Sequence, residues 1–291
     1  MTLGLRICVN TLQGATQGVP AILRLLDEYQ LRGSFFFATG PDKSGRLIDT
    51  IRQPWYPRLN PASRLYGIAL FPPRISKRAA EIMRSVAAAG HETGILCHDR
   101  AYWLNQLAHA PADRTRQELN QAMHDFEAVF GKPPRCMAAA GWQTNPHLLQ
   151  LQQEYGFDYA SDVRGKSAFY PELQGVISTC PQLPTTLPTV SELLQQGGDI
   201  TPDNVHEYLY AESQHILPQG HVFSCDAETE GLSRLGILEK LLVMWKGREG
   251  GVLPLRDLLD DEIRPQLKQH HLGWAPEASG RYYYATQSLA V

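Results

Sequence analysis

A chain of 291 residues, 43% hydrophobic and 20% charged, is long enough for one barrel-sized domain or two small ones. Its 27 basic and 30 acidic side chains leave a net charge of −3, which excludes a nucleic-acid binder that relies on a basic surface. Apolar runs such as Ile68-Ala69-Leu70-Phe71 fall far short of the roughly 18 residues that span a bilayer. The N-terminus lacks a charged-then-apolar leader, so a cytoplasmic location is expected.

In chain order, Leu3 to Val9 alternates and then runs apolar, as a buried strand does. Val19, Ile22, Leu23 and Leu26 follow at the spacing of a one-faced helix, with Pro20 in its first turn and Gly33 as the stop. Ser34 to Ala38 is the next strand. Ala79, Ile82, Met83 and Val86 form a second helical stripe ended by Gly90, ahead of a strand around Gly94-Ile95-Leu96. Leu119, Met123, Phe126 and Phe130 form a third, before a strand at Arg135–Ala140. Asn145-Pro146 caps a short helix that stops at Gly156, and Phe157–Ser161 follows. Val176–Ser178, Val222–Asp226 and Gly251–Leu253 complete the strand candidates.

Helices alternating with strands call for a parallel sheet sheathed by helices. Seven or eight strands in one chain predict an α/β deformed (β/α) barrel over residues 1–260, with an irregular insertion at about 40–75 and a C-terminal tail at 261–291. Working groups of such a barrel sit at the C-terminal strand ends. Those ends are Cys8 to Asn10, Leu96 to Arg100, Ala139 to Gln143, Ser161 to Gly165, and Cys225 to Gly231. The cysteines at 8, 97, 136, 180 and 225 are widely spaced with no C-x-x-C pair, so they read as small core residues.

The strand-end strings carry a resemblance. Gly4-Leu5-Arg6-Ile7 with Thr11, Phe36-Phe37, Gly40-Pro41-Asp42, Leu65-Tyr66-Gly67 and His91-Glu92 come first. Gly94, Asp99, Trp103, Ala138-Ala139-Ala140-Gly141-Trp142, Ser161-Asp162 and Arg164-Gly165 follow. Thr186-Leu187-Pro188-Thr189, Ala227-Glu228 and Glu230-Gly231 close the set. In this order and spacing the chain resembles the polysaccharide deacetylase (NodB homology) family. Within it, the likeness is to the deformylases of lipid-linked 4-deoxy-4-formamido-arabinose, which serve lipid A decoration and polymyxin resistance. The resemblance implies a NodB-type barrel and a lipid-linked sugar or sugar phosphate as partner. It also suggests peripheral contact with the cytoplasmic face of the inner membrane.

The departures from the family pattern fall on its chemistry. The resemblance implies a general-base Asp where this chain has Cys8, and metal ligands where it has Asn10, Leu96 and Arg100. It implies an Arg at Gln143 and a general-acid His at Asp226. An amide is a poor ligand, an isobutyl group is none, and a guanidinium repels a cation. No cofactor and a catalytically silent binding or accessory protein are therefore expected. The alternative is an active deformylase or deacetylase that hydrolyses a C–N amide bond other than a peptide.

Other readings stay open at this level. Cys8, Cys97, His98, Cys225 and Asp226 share one rim and offer a rebuilt zinc site, or a Cys8–His98 nucleophile pair, against buried cysteines and one surface His; Cys97 and His98, strand neighbours, point oppositely. Arg100 either holds a ligand anion or is internally paired. Glu228 and Glu230 either line the pocket with Asn10, Thr11, Leu96 and Trp142 or bridge its mouth. Asp162 and Arg164 are expected to pair with each other. Trp55, Tyr56, Tyr66 and Phe71, interleaved with Arg52, Arg58, Arg64 and Arg74, fit either a membrane surface or packing on the barrel.

Overall fold

β1 (Thr2–Val9) shows how one strand builds both layers of the molecule. Leu3, Leu5, Ile7 and Val9 are fully buried against the helices, while Arg6 and Cys8, of opposite parity, face the interior together with Asn10 just beyond. β2 (Ser34–Ala38) and β3 (Glu92–Cys97) come next, then the short β4 (Cys136–Met137) and β5 (Tyr159–Ala160). β6 (Tyr170–Leu173), β7 (Val176–Ile177), β8 (His221–Asp226) and β9 (Gly251–Leu253) follow, and β10 (Gln269–Pro276) and β11 (Tyr283–Gln287) end the chain. This computed structural model describes residues 2–46, 59–276 and 283–288.

The strands form a seven-stranded parallel sheet in the order β5-β4-β3-β2-β1-β8, with β9 beside the start of β1. Cys8 stands level with Phe36 of β2 and Asp226 of β8, which brings three strand ends to one height. Among the described residues no strand joins β5 to β8. An irregular segment closes the seam instead: Leu183 N donates to Ala160 O at 2.8 Å and Thr186 N to Val222 O at 3.1 Å. At the other end, Gly4 makes room for a plug, since a Cβ there would lie 2.6 Å from the Leu258 side chain.

The sheath contains the four expected helices, at Val19–Glu28, Ala80–Ala88, Ala112–Phe130 and Pro146–Glu154. It also contains Arg100–Gln106, Val190–Gln196, Val205–Glu212 and Leu235–Lys246, which the stripes above did not identify.

Two expectations are corrected here. The strand at Val176 does not enter the barrel; it pairs antiparallel with β6 in a separate four-stranded sheet, β11-β10-β6-β7. The residues set apart as a tail, 261–291, contain β10 and β11 of that same sheet. Within the insertion, Arg52, Trp55, Tyr56 and Arg58 lie outside the described residues. Among the described residues no helix is long and apolar enough to cross a membrane.

Candidate functional site

The ends of β1, β3 and β8 and the turn after β4 surround a cavity of about 100 Å³. Asn10 lines it, one residue past the end of β1, on the parity that points Arg6 and Cys8 inward. Its Nδ2 donates to Asp226 Oδ1 at 2.9 Å and Glu228 Oε2 at 3.1 Å, and its Oδ1 accepts from Arg100 Nε at 2.9 Å. The result is a chain from guanidinium through amide to two carboxylates.

Each member is held by its own element. Arg100 opens its helix, whose N-cap Asp99 accepts from Ala101 N at 3.1 Å and Tyr102 N at 3.2 Å and pairs with Lys43. Glu228 Oε1 accepts from Asn10 N at 3.0 Å and from Thr11 N and Thr11 Oγ1 at 2.8 Å. That close approach requires a glycine at 14, where a Cβ would lie 1.9 Å from Glu228 Oε1. Glu230 Oε2 accepts from Asp226 N at 2.8 Å.

Arg6 is 2% exposed, and its Nη1 donates to Cys8 Sγ at 2.9 Å and Ser224 Oγ at 2.6 Å, its Nη2 to Ala139 O at 3.0 Å. The Trp142 ring takes both this guanidinium, 5.7 Å from its centroid, and that of Arg164 at 4.8 Å. Trp142 adopts φ +52 beside Gly141 at φ +62, a left-handed turn that aims the indole at the cavity.

Burial governs the electrostatics. It pushes the Cys8 thiol up to about 11, with nearby Arg6 only partly opposing. Burial, aided by repulsion from Asp226, raises Glu228 to about 7 and Glu230 to about 8. Asp226 is raised by burial against the pull of Arg100. Asp162 is raised to about 6 by burial, despite amide donors from Gln152 and Gln182.

Cys8, Asn10, Leu96, Arg100, Trp142, Asp226 and Glu230 therefore line one cavity. Thr11 and Glu228 stand behind its wall as the anchor just described. The expected Asp162–Arg164 ion pair does not form: Arg164 pairs with Glu192 at 2.7 Å, and Asp162 is held by the Gln152 and Gln182 amides. Gln143 turns away from the cavity, donating to Tyr283 O at 2.6 Å and Gly141 O at 3.2 Å. His98 faces Asp125, with Nδ1 3.3 Å from its carboxylate, and Cys97 is buried; neither lines the cavity, so no Cys8–His98 pair forms there. All five cysteines are free and buried. Among the described residues no three His, Cys, Asp or Glu side chains are grouped to hold a metal ion.

Sequence reasoning gave no role to Arg6 or Ser224, although an Arg inside an apolar strand, at the parity of Cys8 and Asn10, is itself a signal. It also missed Tyr284, whose ring packs edge-on against Trp142 at 6.1 Å.

The polysaccharide deacetylase family profile matches residues 13–160. A protein of Shewanella sediminis (strain HAW-EB3) named as the 4-deoxy-4-formamido-L-arabinose-phosphoundecaprenol deformylase ArnD is 34% identical over 272 residues, 89% of this chain and 86% of its own length. Its namesake in Wigglesworthia glossinidia brevipalpis is 27% identical over 273 residues, 89% of this chain and 93% of its own. The solved structure of a polysaccharide deacetylase from Mycobacterium smegmatis superposes with a TM-score of 0.65 at 19% identity, covering 91% of this chain and 90% of that one. A CE4 family pseudoenzyme from Bacillus anthracis superposes at 0.54 with 15% identity, covering 93% and 69%. At these identities the two structures speak for the fold alone. Profile, relatives and barrel agree, and the chain belongs to the polysaccharide deacetylase family.

Proposed function

We propose that this chain is a non-hydrolytic member of the formamido-arabinose deformylase branch, which binds a lipid-linked sugar or sugar phosphate as an accessory protein of lipid A modification. The observation that carries the reading is the Arg100–Asn10–Asp226/Glu228 chain. A divalent ion polarises an amide oxygen and acidifies a bound water. At the place where the resemblance implies such an ion, Leu96 offers hydrocarbon, and Arg100 brings a cation of its own. The Asn10 oxygen already accepts a hydrogen bond from that cation. These residues do not fit the metal. Cys8 does not replace the base, because a thiol raised to about 11 keeps its proton at neutral pH.

What the cavity offers is binding. Arg100 supplies a fixed positive charge suited to phosphate, and Trp142 supplies an aromatic face. Peripheral contact with the inner membrane belongs to the same reading. Phe71 is 97% exposed and Ile68 65%, on a segment where Asp49 is the single acidic residue between Lys43 and Arg78.

One observation favours the alternative, a hydrolase that works without the family's metal ligands. Glu230 lines the cavity with its carboxyl raised to about 8, near the range useful to a general acid or base. Elemental analysis of the purified chain and a formate assay with 4-formamido-arabinose-phosphoundecaprenol separate the two. Substoichiometric metal and no formate above background are expected; formate release reverses the ranking. The combined substitutions Cys8→Asp, Asn10→Asp, Leu96→His, Arg100→His, Gln143→Arg and Asp226→His are expected to confer metal binding.

A further inference from the structure

Beside the strand-end cavity lies a cleft of about 350 Å³. One wall is Leu104, from the helix Arg100–Gln106, with Ala108 and His109 from its 3-10 continuation; the other is Trp274 of β10 and Tyr283 of β11. Leu104 lines both spaces, so it is the partition between them. Arg100 and Leu104 share one helical stripe at an interval of four, and Ala108 follows in the 3-10 turn beyond Gln106. The stripe begins with a guanidinium in the cavity and ends in hydrocarbon in the cleft.

Two amide side chains of the cleft are spent on nearby backbone. The Gln143 amide donates to Tyr283 O and Gly141 O, and the Asn105 amide to Ala101 O at 2.9 Å. The remaining polar groups of the lining are carried by rings, those of His109, Trp274 and Tyr283. The aromatic groups, by contrast, are left open. Opposed residues of the β10–β11 ladder place Leu272, Trp274, Tyr283 and Ala285 on one face. Leu272 and Ala285 are buried there, while Trp274 keeps 37% and Tyr283 57% of their surface exposed.

We infer that this cleft is a subsite for isoprenoid hydrocarbon, resting on the reading above that the ligand is a lipid-linked sugar phosphate. The sugar occupies the strand-end cavity, the phosphate lies toward Arg100, and the first isoprene units cross Leu104 to lie between Ala108 and the two aromatic rings. The C-terminal strands are then a wall of the binding site as well as part of the second sheet.

Titration calorimetry with farnesyl phosphate, inorganic phosphate and methyl arabinopyranoside tests this on the full chain. Wild type is expected to bind farnesyl phosphate at least about tenfold more tightly than inorganic phosphate, the gain from burying a few methylene equivalents. Trp274→Ala, which removes a partly exposed wall, and Ala108→Trp, which fills the cleft, are each expected to abolish that advantage and leave inorganic phosphate unchanged. Equal affinity of wild type for the two phosphates overturns the proposal. So does an advantage that survives both variants, or a loss confined to the arabinoside, which marks a saccharide subsite. Formate release by wild type bears on hydrolysis alone and leaves this binding result standing.

Discussion

Arg6 turns its two terminal nitrogens toward Cys8 Sγ, Ser224 Oγ and Ala139 O, in a fork that a point charge does not reproduce. Arg6→Met leaves buried acceptors without donors and is expected to cost about 1–3 kcal/mol in urea unfolding. Arg6→Lys is expected to recover less than half of that loss; full recovery would mean that charge alone matters. The carboxyls of the site make a second prediction. Glu228 and Glu230 are raised to about 7 and 8 from 4.5, so between these limits the folded chain holds protons that the unfolded chain has released. Stability is then greatest near the lower limit, falls as pH rises through the folded values, and levels off above 8. Calorimetric Tm should decline from pH 5 to 8 in wild type and decline less in Glu230→Gln; a rising Tm over that range contradicts the assignment. At this scale the sequence revealed which residue types meet at the strand ends, because period-2 alternation sorts parity. Partners were not legible. That Arg164 takes Glu192 rather than Asp162 depends on a helix 28 residues further on.

Among the elements, the helix Pro146–Glu154 is the most sharply specified. Asn145 caps it by accepting from Leu148 N at 2.8 Å, and its Nδ2 donates to Leu107 O at 2.7 Å and Thr115 Oγ1 at 2.9 Å. One buried amide thereby ties three helical segments together. Asn145→Ala is expected to cost about 2–3 kcal/mol by denaturant unfolding, above an ordinary cap, because two further buried partners are stranded. Asn145→Asp keeps the cap but loses the donor, so it should fall between the two. Most barrel strands were readable from runs of apolar residues bounded by glycine or proline, and the helices from i, i+3, i+4 stripes. β10 and β11 were not, although Tyr284-Ala285-Thr286-Gln287 alternates in exposure. They follow a region already counted as outside the barrel, and their partner β6 lies about a hundred residues earlier. Pairing at that separation leaves no local trace.

For the molecule as a whole, the exposed Ile68 and Phe71 and the basic run around them define the face turned to the proposed membrane. Phe71→Ser together with Ile68→Ser should reduce co-sedimentation with phosphatidylglycerol vesicles and leave the unfolding free energy within about 0.5 kcal/mol of wild type, as surface changes do. Unchanged sedimentation removes the membrane from the account. The barrel itself carries a different consequence. Its last seam is stitched by the loop through Leu183 and Thr186 instead of by a ladder, and the residues just after it, Thr189, Ser191 and Glu192, form one side of the cavity. A ligand seated there would touch the stave that the fold left unfinished, so binding is expected to add to the stability of the closed barrel. A tenant strengthens the house.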